Sequence, residues 1–217
     1  MDYAAARSNM VDSQLRTNKV TEARLLDAFE TVPRERFVPE DLRGIAYVDE
    51  DLRITEGRHL MEPMVLARLL QAAEVQPSDV VLDIGCGSGY STAVLANLAA
   101  TVVAVENDPR LYAQASQLLT DLDTANAVVV EAPLRDGYPK QAPYDVVLMG
   151  GAVAGVPDSI LDQVAEGGRV VAVVLDEDGL GRATLFQRVG GRVSGRALFD
   201  AATPGLPGFE RKATFRF

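Results

Sequence analysis

From residue 78 onward, short β-branched apolar runs alternate with stretches of helical spacing, and nothing else in these 217 residues restricts the fold so strongly. The runs at 80–84, 102–106, 127–131, 145–149 and 170–175 are nearly all apolar, as strands covered on both faces must be. Between them, 90–98, 109–122 and 157–165 carry apolar residues at helical spacing, and two of these stretches begin with the proline that suits a first helical turn. Such alternation predicts an α/β fold, a Rossmann-like doubly wound sheet that is mostly parallel and linked by crossover helices. Past residue 175 the pattern changes. Segments 183–189 and 212–217 read as an antiparallel edge pair around Gly- and Pro-rich sequence, which brings the sheet to about seven strands, with 203–208 as a surface loop.

Residues 1–60 lie outside this alternation. They read as two helices, near 8–16 and 22–31, then a turn-rich segment through Pro33 and Pro39. The expected organisation is one domain over 1–217, with 1–60 as an N-terminal helical cap and 61–217 as the Rossmann-like core, joined by a helix over 63–73. Ligands in open α/β sheets bind beyond the carboxyl ends of the strands, so a cap reaching that edge covers the ligand and shapes a second pocket.

Composition narrows the partners. A formal charge of −10 argues against nucleic acid, whose binding rests on clustered Lys and Arg. No run approaches the roughly 18 apolar residues of a membrane span, and no apolar block of a secretion signal follows the first residues. The single cysteine, Cys86, permits no internal disulfide and suits a reducing, cytoplasmic compartment. With His59 the only histidine, a conventional zinc site has too few ligands, and no metal is expected.

The run Asp83-Ile84-Gly85-Cys86-Gly87-Ser88-Gly89-Tyr90 follows a buried strand and precedes a helix. Glycines there let the backbone pass close to a ligand because each missing Cβ removes a steric wall. Glu106 ends the next strand, where a carboxylate can accept hydrogen bonds from both hydroxyls of a ribose; Asn107 follows it. A dinucleotide loop would place its third glycine one position later. These residues resemble S-adenosylmethionine-dependent methyltransferases. By that resemblance Asp83, Gly85, Cys86, Gly87, Ser88 and Gly89 lie along the methionine part and Glu106 with Asn107 holds the ribose. Asp83 also reads as an anchor of the turn, and Cys86 as a small packing residue without chemistry.

Further runs spread the resemblance over most of the chain. Met10-Val11-Asp12-Ser13-Gln14-Leu15, Val32-Pro33-Arg34-Glu35-Arg36-Phe37-Val38-Pro39 and Ala46-Tyr47-Val48-Asp49 are similar to the protein-L-isoaspartate O-methyltransferase family, as are the loop itself, Ala142-Pro143-Tyr144-Asp145 and Gly167-Gly168-Arg169. The resemblance implies methyl transfer from S-adenosylmethionine, giving S-adenosylhomocysteine, to the free carboxylate of isoaspartate in a damaged protein or peptide. A carboxylate is already nucleophilic at neutral pH, so the chemistry asks for aim and desolvation more than for a strong base.

Two departures fall at functional positions. The family's Thr/Ser-Ile-Ser-x-Pro run supplies hydroxyls near the reacting carboxylate; here His59-Leu60-Met61-Glu62-Pro63 stands in its place. His59, Met61 and Glu62 are therefore the candidate catalytic positions, each with a bland reading beside it. Met61 cannot donate a hydrogen bond, and Glu62 facing inward repels an acidic substrate, whereas His59 can donate to a carboxylate as a neutral or cationic imidazole. Arg53 and Arg58 can pair with a carboxylate, and Tyr47 and Asp49 can line the substrate entrance. The family's Gly-Asp-Gly, whose Asp contacts the adenine, is replaced by Ala132-Pro133-Leu134, which makes Ala132 and Pro133 the adenine-side positions, with Glu131 or Asp136 as substitute acids. Three readings follow: an isoaspartyl methyltransferase, a methyltransferase for an unidentified acceptor, and a binding or adaptor protein that has lost catalysis.

Overall fold

Nine strands are seen in the computed structural model, which describes residues 1–211. Strands β1 (Leu52–Thr55) and β2 (Arg58–Leu60) form a separate antiparallel hairpin. The others are β3 (Val80–Ile84), β4 (Thr101–Glu106), β5 (Ala127–Glu131), β6 (Tyr144–Val153), β7 (Val164–Leu175), β8 (Gly181–Val189) and β9 (Arg192–Asp200), joined in one sheet of order β5-β4-β3-β6-β7-β8-β9. The first five in that order run parallel; β8 and β9 are antiparallel additions at one edge. This is the doubly wound, mostly parallel sheet that the alternation predicts.

The central strands are apolar because both faces are covered. Leu82, Ile84, Val103, Val105, Val147 and Met149 pack on one side with Leu206 and Phe209. Val81, Val102, Ala104, Val146 and Leu148 face the other side and share a core with Leu25 and Phe29 of the N-terminal segment. Each aliphatic side chain so buried contributes roughly 1.5–3 kcal/mol relative to leaving it in water.

The helices are α1 (Tyr3–Met10), α2 (Ala23–Thr31), α3 (Pro63–Ala73), α4 (Tyr90–Ala96), α5 (Pro109–Asp121) and α6 (Asp158–Leu161). Their limits follow local chemistry. Proline opens α3 and α5, Asp108 caps α5 by accepting from Arg110 N at 2.8 Å, and α3 ends where Glu74 turns left-handed. Gln71 on α3 ties back to the N-terminal segment, accepting from Thr21 N at 2.6 Å and donating to Lys19 O at 2.8 Å.

Three expectations are corrected. The helix expected over 8–16 starts at Tyr3 and widens into a π turn, Val11–Leu15. The helix expected over 157–165 is a single turn ending at Leu161, because Gln163 donates to Asp136 O and accepts from Tyr138 N while Val164 already pairs with Tyr144 in β7. The antiparallel partner of 183–189 is β9, linked through Gly190 and Gly191, both at positive φ. The other strand expected there, 212–217, lies outside the described residues. No helix among the described residues is long and apolar enough to cross a membrane.

Candidate functional site

The glycine loop leaves the carboxyl end of β3 in a conformation that L side chains rarely adopt, with φ of +75° at Gly85, +59° at Gly87 and +94° at Gly89. Its turn is held from both sides: Gly85 N donates to Val105 O at 2.8 Å, and Gly89 N to Cys86 O at 2.9 Å. Asp83, fully buried, accepts from Ser91 Oγ and Thr92 Oγ1 on the same oxygen, each at 2.7 Å. Those bonds anchor the turn to α4, while the other carboxylate oxygen is buried without a partner. Burial pushes Asp83 up to about 6 against the pull of those two hydroxyls. Cys86 is buried and its thiol is pushed up for the same reason, which fits packing and not nucleophilic chemistry.

Glu106, at the end of β4, is fully buried and accepts five hydrogen bonds. Three come from the backbone: Gly87 N at 2.8 Å, Asn107 N at 2.8 Å and Asp108 N at 3.0 Å. Two come from Arg58 at the start of β2, whose Nη1 and Nη2 reach Oε1 and Oε2 at 2.5 and 2.7 Å. Arg58 does pair with a carboxylate, and the carboxylate is the chain's own. Arg53, on β1, is exposed.

The run 59–61 sits over the loop, while Glu62 stands at the start of α3 beside Asp49 and Asp51. His59, Leu60 and Met61 share with Gly85, Cys86 and Gly150 the lining of a cavity of about 20 Å³, close to the volume of one water molecule. Arg34, fully buried, fixes this run to the N-terminal segment by donating to Ala46 O at 2.7 Å and to Met61 O at 2.9 Å. Its guanidinium lies 4.8 Å from the centre of the Tyr90 ring, which Phe29 and Phe37 also contact edge-on. Ser88 Oγ closes the same joint by donating to Phe37 O at 2.6 Å. The Pro-Arg-Glu-Arg-Phe run is thus the clamp between N-terminal segment and loop, a role its sequence does not announce.

Electrostatics differ from expectation at two side chains. Burial, helped by Arg53, lowers the His59 pKa, so the neutral imidazole prevails near neutral pH instead of a neutral-to-cationic mixture; its Nδ1 is buried without a partner. Glu62 is pushed up to about 7 by burial and by Asp49 and Asp51, so it is substantially protonated at neutral pH. Tyr47 is buried and donates to Glu35, and Asp49 and Asp51 accept from Met64 N and Glu62 N at 3.4 and 3.0 Å, capping α3.

On the far side, Ala132 N donates to Glu106 O at 3.1 Å. Ala132 is half-buried, whereas Asn107, Pro133, Glu131 and Asp136 are exposed. Asp83, the loop, Glu106, Asn107, Ala132 and Pro133 thus gather at the carboxyl ends of β3, β4 and β5. Sequence reasoning missed the contacts of Leu206 and Ile54: a Cβ placed on Gly85 would lie 2.7 Å from Leu206 Cδ1, and one on Gly87 2.9 Å from Ile54 Cδ1.

Comparison with known proteins is consistent with this geometry. The sequence model of the protein-L-isoaspartate(D-aspartate) O-methyltransferase family matches residues 5–200. A protein-L-isoaspartate O-methyltransferase of Koribacter versatilis is 40% identical over 172 residues, covering 79% of this chain and 78% of that one. Among solved structures, a protein-L-isoaspartate O-methyltransferase superposes with a TM-score of 0.81 at 24% identity, covering 93% of this chain and 66% of that one. Another, a Plasmodium falciparum protein of the same description in complex with S-adenosyl-L-homocysteine, gives 0.78 at 18% identity, over 95% and 98% of the two chains. The two superpositions bear on the fold, and the sequence matches on kinship: the chain belongs to the protein-L-isoaspartate O-methyltransferase family.

Proposed function

We propose that this protein transfers a methyl group from S-adenosylmethionine to the free carboxylate of isoaspartyl residues in damaged proteins or peptides, releasing S-adenosylhomocysteine. The observation that carries the reading is the meeting of the glycine loop with the run 59–61 around one cavity, since the transfer needs its two substrates side by side. Family membership and the S-adenosylhomocysteine complex of the Plasmodium relative support it. The lone, buried Cys86 suits a reducing compartment, and we place the activity in the cytoplasm.

The loop fits such a cofactor. Asp83 offers a buried carboxylate oxygen with no partner, suited to an ammonium or sulfonium charge, and the positive-φ glycines bring bare backbone up to the ligand. Asp83, Gly85, Cys86, Gly87, Ser88 and Gly89 would hold the methionine part, Glu106 and Asn107 the ribose, and Ala132 and Pro133 the adenine. Bound there, the cofactor supplies an electrophilic methyl group.

The chain's own residues do the rest. Leu60, Met61 and Leu66 give the cavity an apolar wall, which would strip the attacking carboxylate of hydration. Neutral His59 donates a hydrogen bond to the acceptor carboxylate without quenching it as a nucleophile, in place of the family's hydroxyl. Glu62, protonated over part of the neutral range, loses the repulsion that an ionised glutamate would direct at an acidic acceptor. With labelled S-adenosylmethionine and an isoaspartyl peptide beside its aspartyl twin, base-labile methyl ester is expected on the former alone. Ester on neither peptide would remove the reading.

A further inference from the structure

The buried pair between β2 and β4 places Arg58 where a nucleoside would have to bind. A carboxylate has about four lone-pair positions, and Glu106 already takes five donors. Three of these donors are backbone N–H groups fixed by the loop and by the turn after β4, so only Arg58 can yield. Two hydroxyls of a ribose need the same acceptor positions. Over the loop the crowding continues: Leu206 and Ile54 lie where the backbone at Gly85 and Gly87 is bare, and the cavity beside Gly85 and Cys86 holds only about 20 Å³, whereas open space of about 560 Å³ lies just past Glu106, along Asn107, Asp108, Pro109 and Arg110.

We propose that Arg58 is an internal competitor for the nucleoside half of the cofactor site: its guanidinium and the ribose hydroxyls exchange on Glu106, so cofactor binds only as the β1–β2 hairpin releases that carboxylate. The inference rests on the reading of the loop as an S-adenosylmethionine site. The exchange is balanced in kind, because five charge-assisted donors become the three backbone donors plus two hydroxyls, and Glu106 is never left bare. It also has a cost in affinity. If the released form is a minor population, the apparent dissociation constant rises by the inverse of that population. Arg58 therefore holds the site closed against weak nucleosides and speeds the departure of product by returning to Glu106.

The test is titration calorimetry of S-adenosylhomocysteine into wild type and Arg58→Met. This probe carries no net charge, so a gain in affinity cannot come from simply removing a cation near the site. About tenfold tighter binding by Arg58→Met is expected if the released form is a tenth of the population. Equal or weaker binding by the folded variant overturns the inference while leaving the cofactor reading intact; no binding by either protein overturns both. If Arg58→Met does not fold, arginine-labelled wild type is followed by NMR. The slowly exchanging guanidinium signals of Arg58, assigned with Arg58→Lys, are expected to disappear at saturating S-adenosylhomocysteine, and their persistence overturns the inference.

Discussion

Glu62 sits half-buried beside Asp49 and Asp51, and its carboxyl titrates near 7 instead of near its ordinary 4.5. The folded protein then binds a proton at Glu62 that the unfolded chain has already lost over this interval. Its contribution to stability is complete below about 4.5 and is lost as pH rises through about 7. Because the side chain is partly exposed, screening trims the effect to the order of 1 kcal/mol. Urea unfolding at pH 5 and pH 8 should show wild type losing that much more than Glu62→Gln on going to the higher pH. Parallel losses in the two proteins would mean that neither burial nor the neighbouring carboxylates raise the Glu62 pKa. Arg34 shows the opposite limit, a fully buried cation whose contacts are carbonyl oxygens and an aromatic ring, with burial lowering its pKa. Nothing about the position of an arginine in a turn-rich segment marks it as buried, so its role emerges only once 34, 46, 61 and 90 are brought together.

At the scale of elements, the parallel strands and β8 were legible and the outermost added strand β9 was not. Val80–Ile84 and Pro63–Ala73 have the expected limits because an apolar run or a helical stripe can be buried in only one way. Strand β9 begins Arg-Val-Ser-Gly-Arg and is mostly exposed, so its pairing with β8 leaves no hydrophobic pattern to read. The hairpin β1–β2 is equally silent, its strands being four and three residues long with mixed polarity. Where elements meet most tightly, a glycine decides. A Cβ on Gly150 of β6 would stand 2.3 Å from Gly85 O and 3.0 Å from Ile84 O, contacts that only backbone movement relieves. Gly150→Ala should lose roughly 1–3 kcal/mol in chemical denaturation, whereas Gly155→Ala, with open space around it, should be near neutral. Equal stability of the two variants would show that the loop yields freely against β6.

For the whole molecule, the site is an assembly from distant parts of the chain. The glycine loop, Asp83 and Glu106 could be located from sequence because strand-turn-helix spacing puts them at one sheet edge. The pairing of Arg58 with Glu106 spans 48 residues, and no spacing rule connects a hairpin residue to a strand end so far along the chain. The same holds for Leu206, which reaches Gly85 from beyond β9. The parts of the candidate site at the sheet edge are thus readable, while the parts packed over them are not, because that covering depends on how loops fold back over the sheet. The central claim, that this covered loop is a working cofactor site, is tested most directly by calorimetric titration of S-adenosylmethionine into the wild-type protein. Saturable heat with one site per chain, accompanied by a rise in melting temperature, is the expected result; no heat and no thermal shift at high cofactor concentration would contradict it.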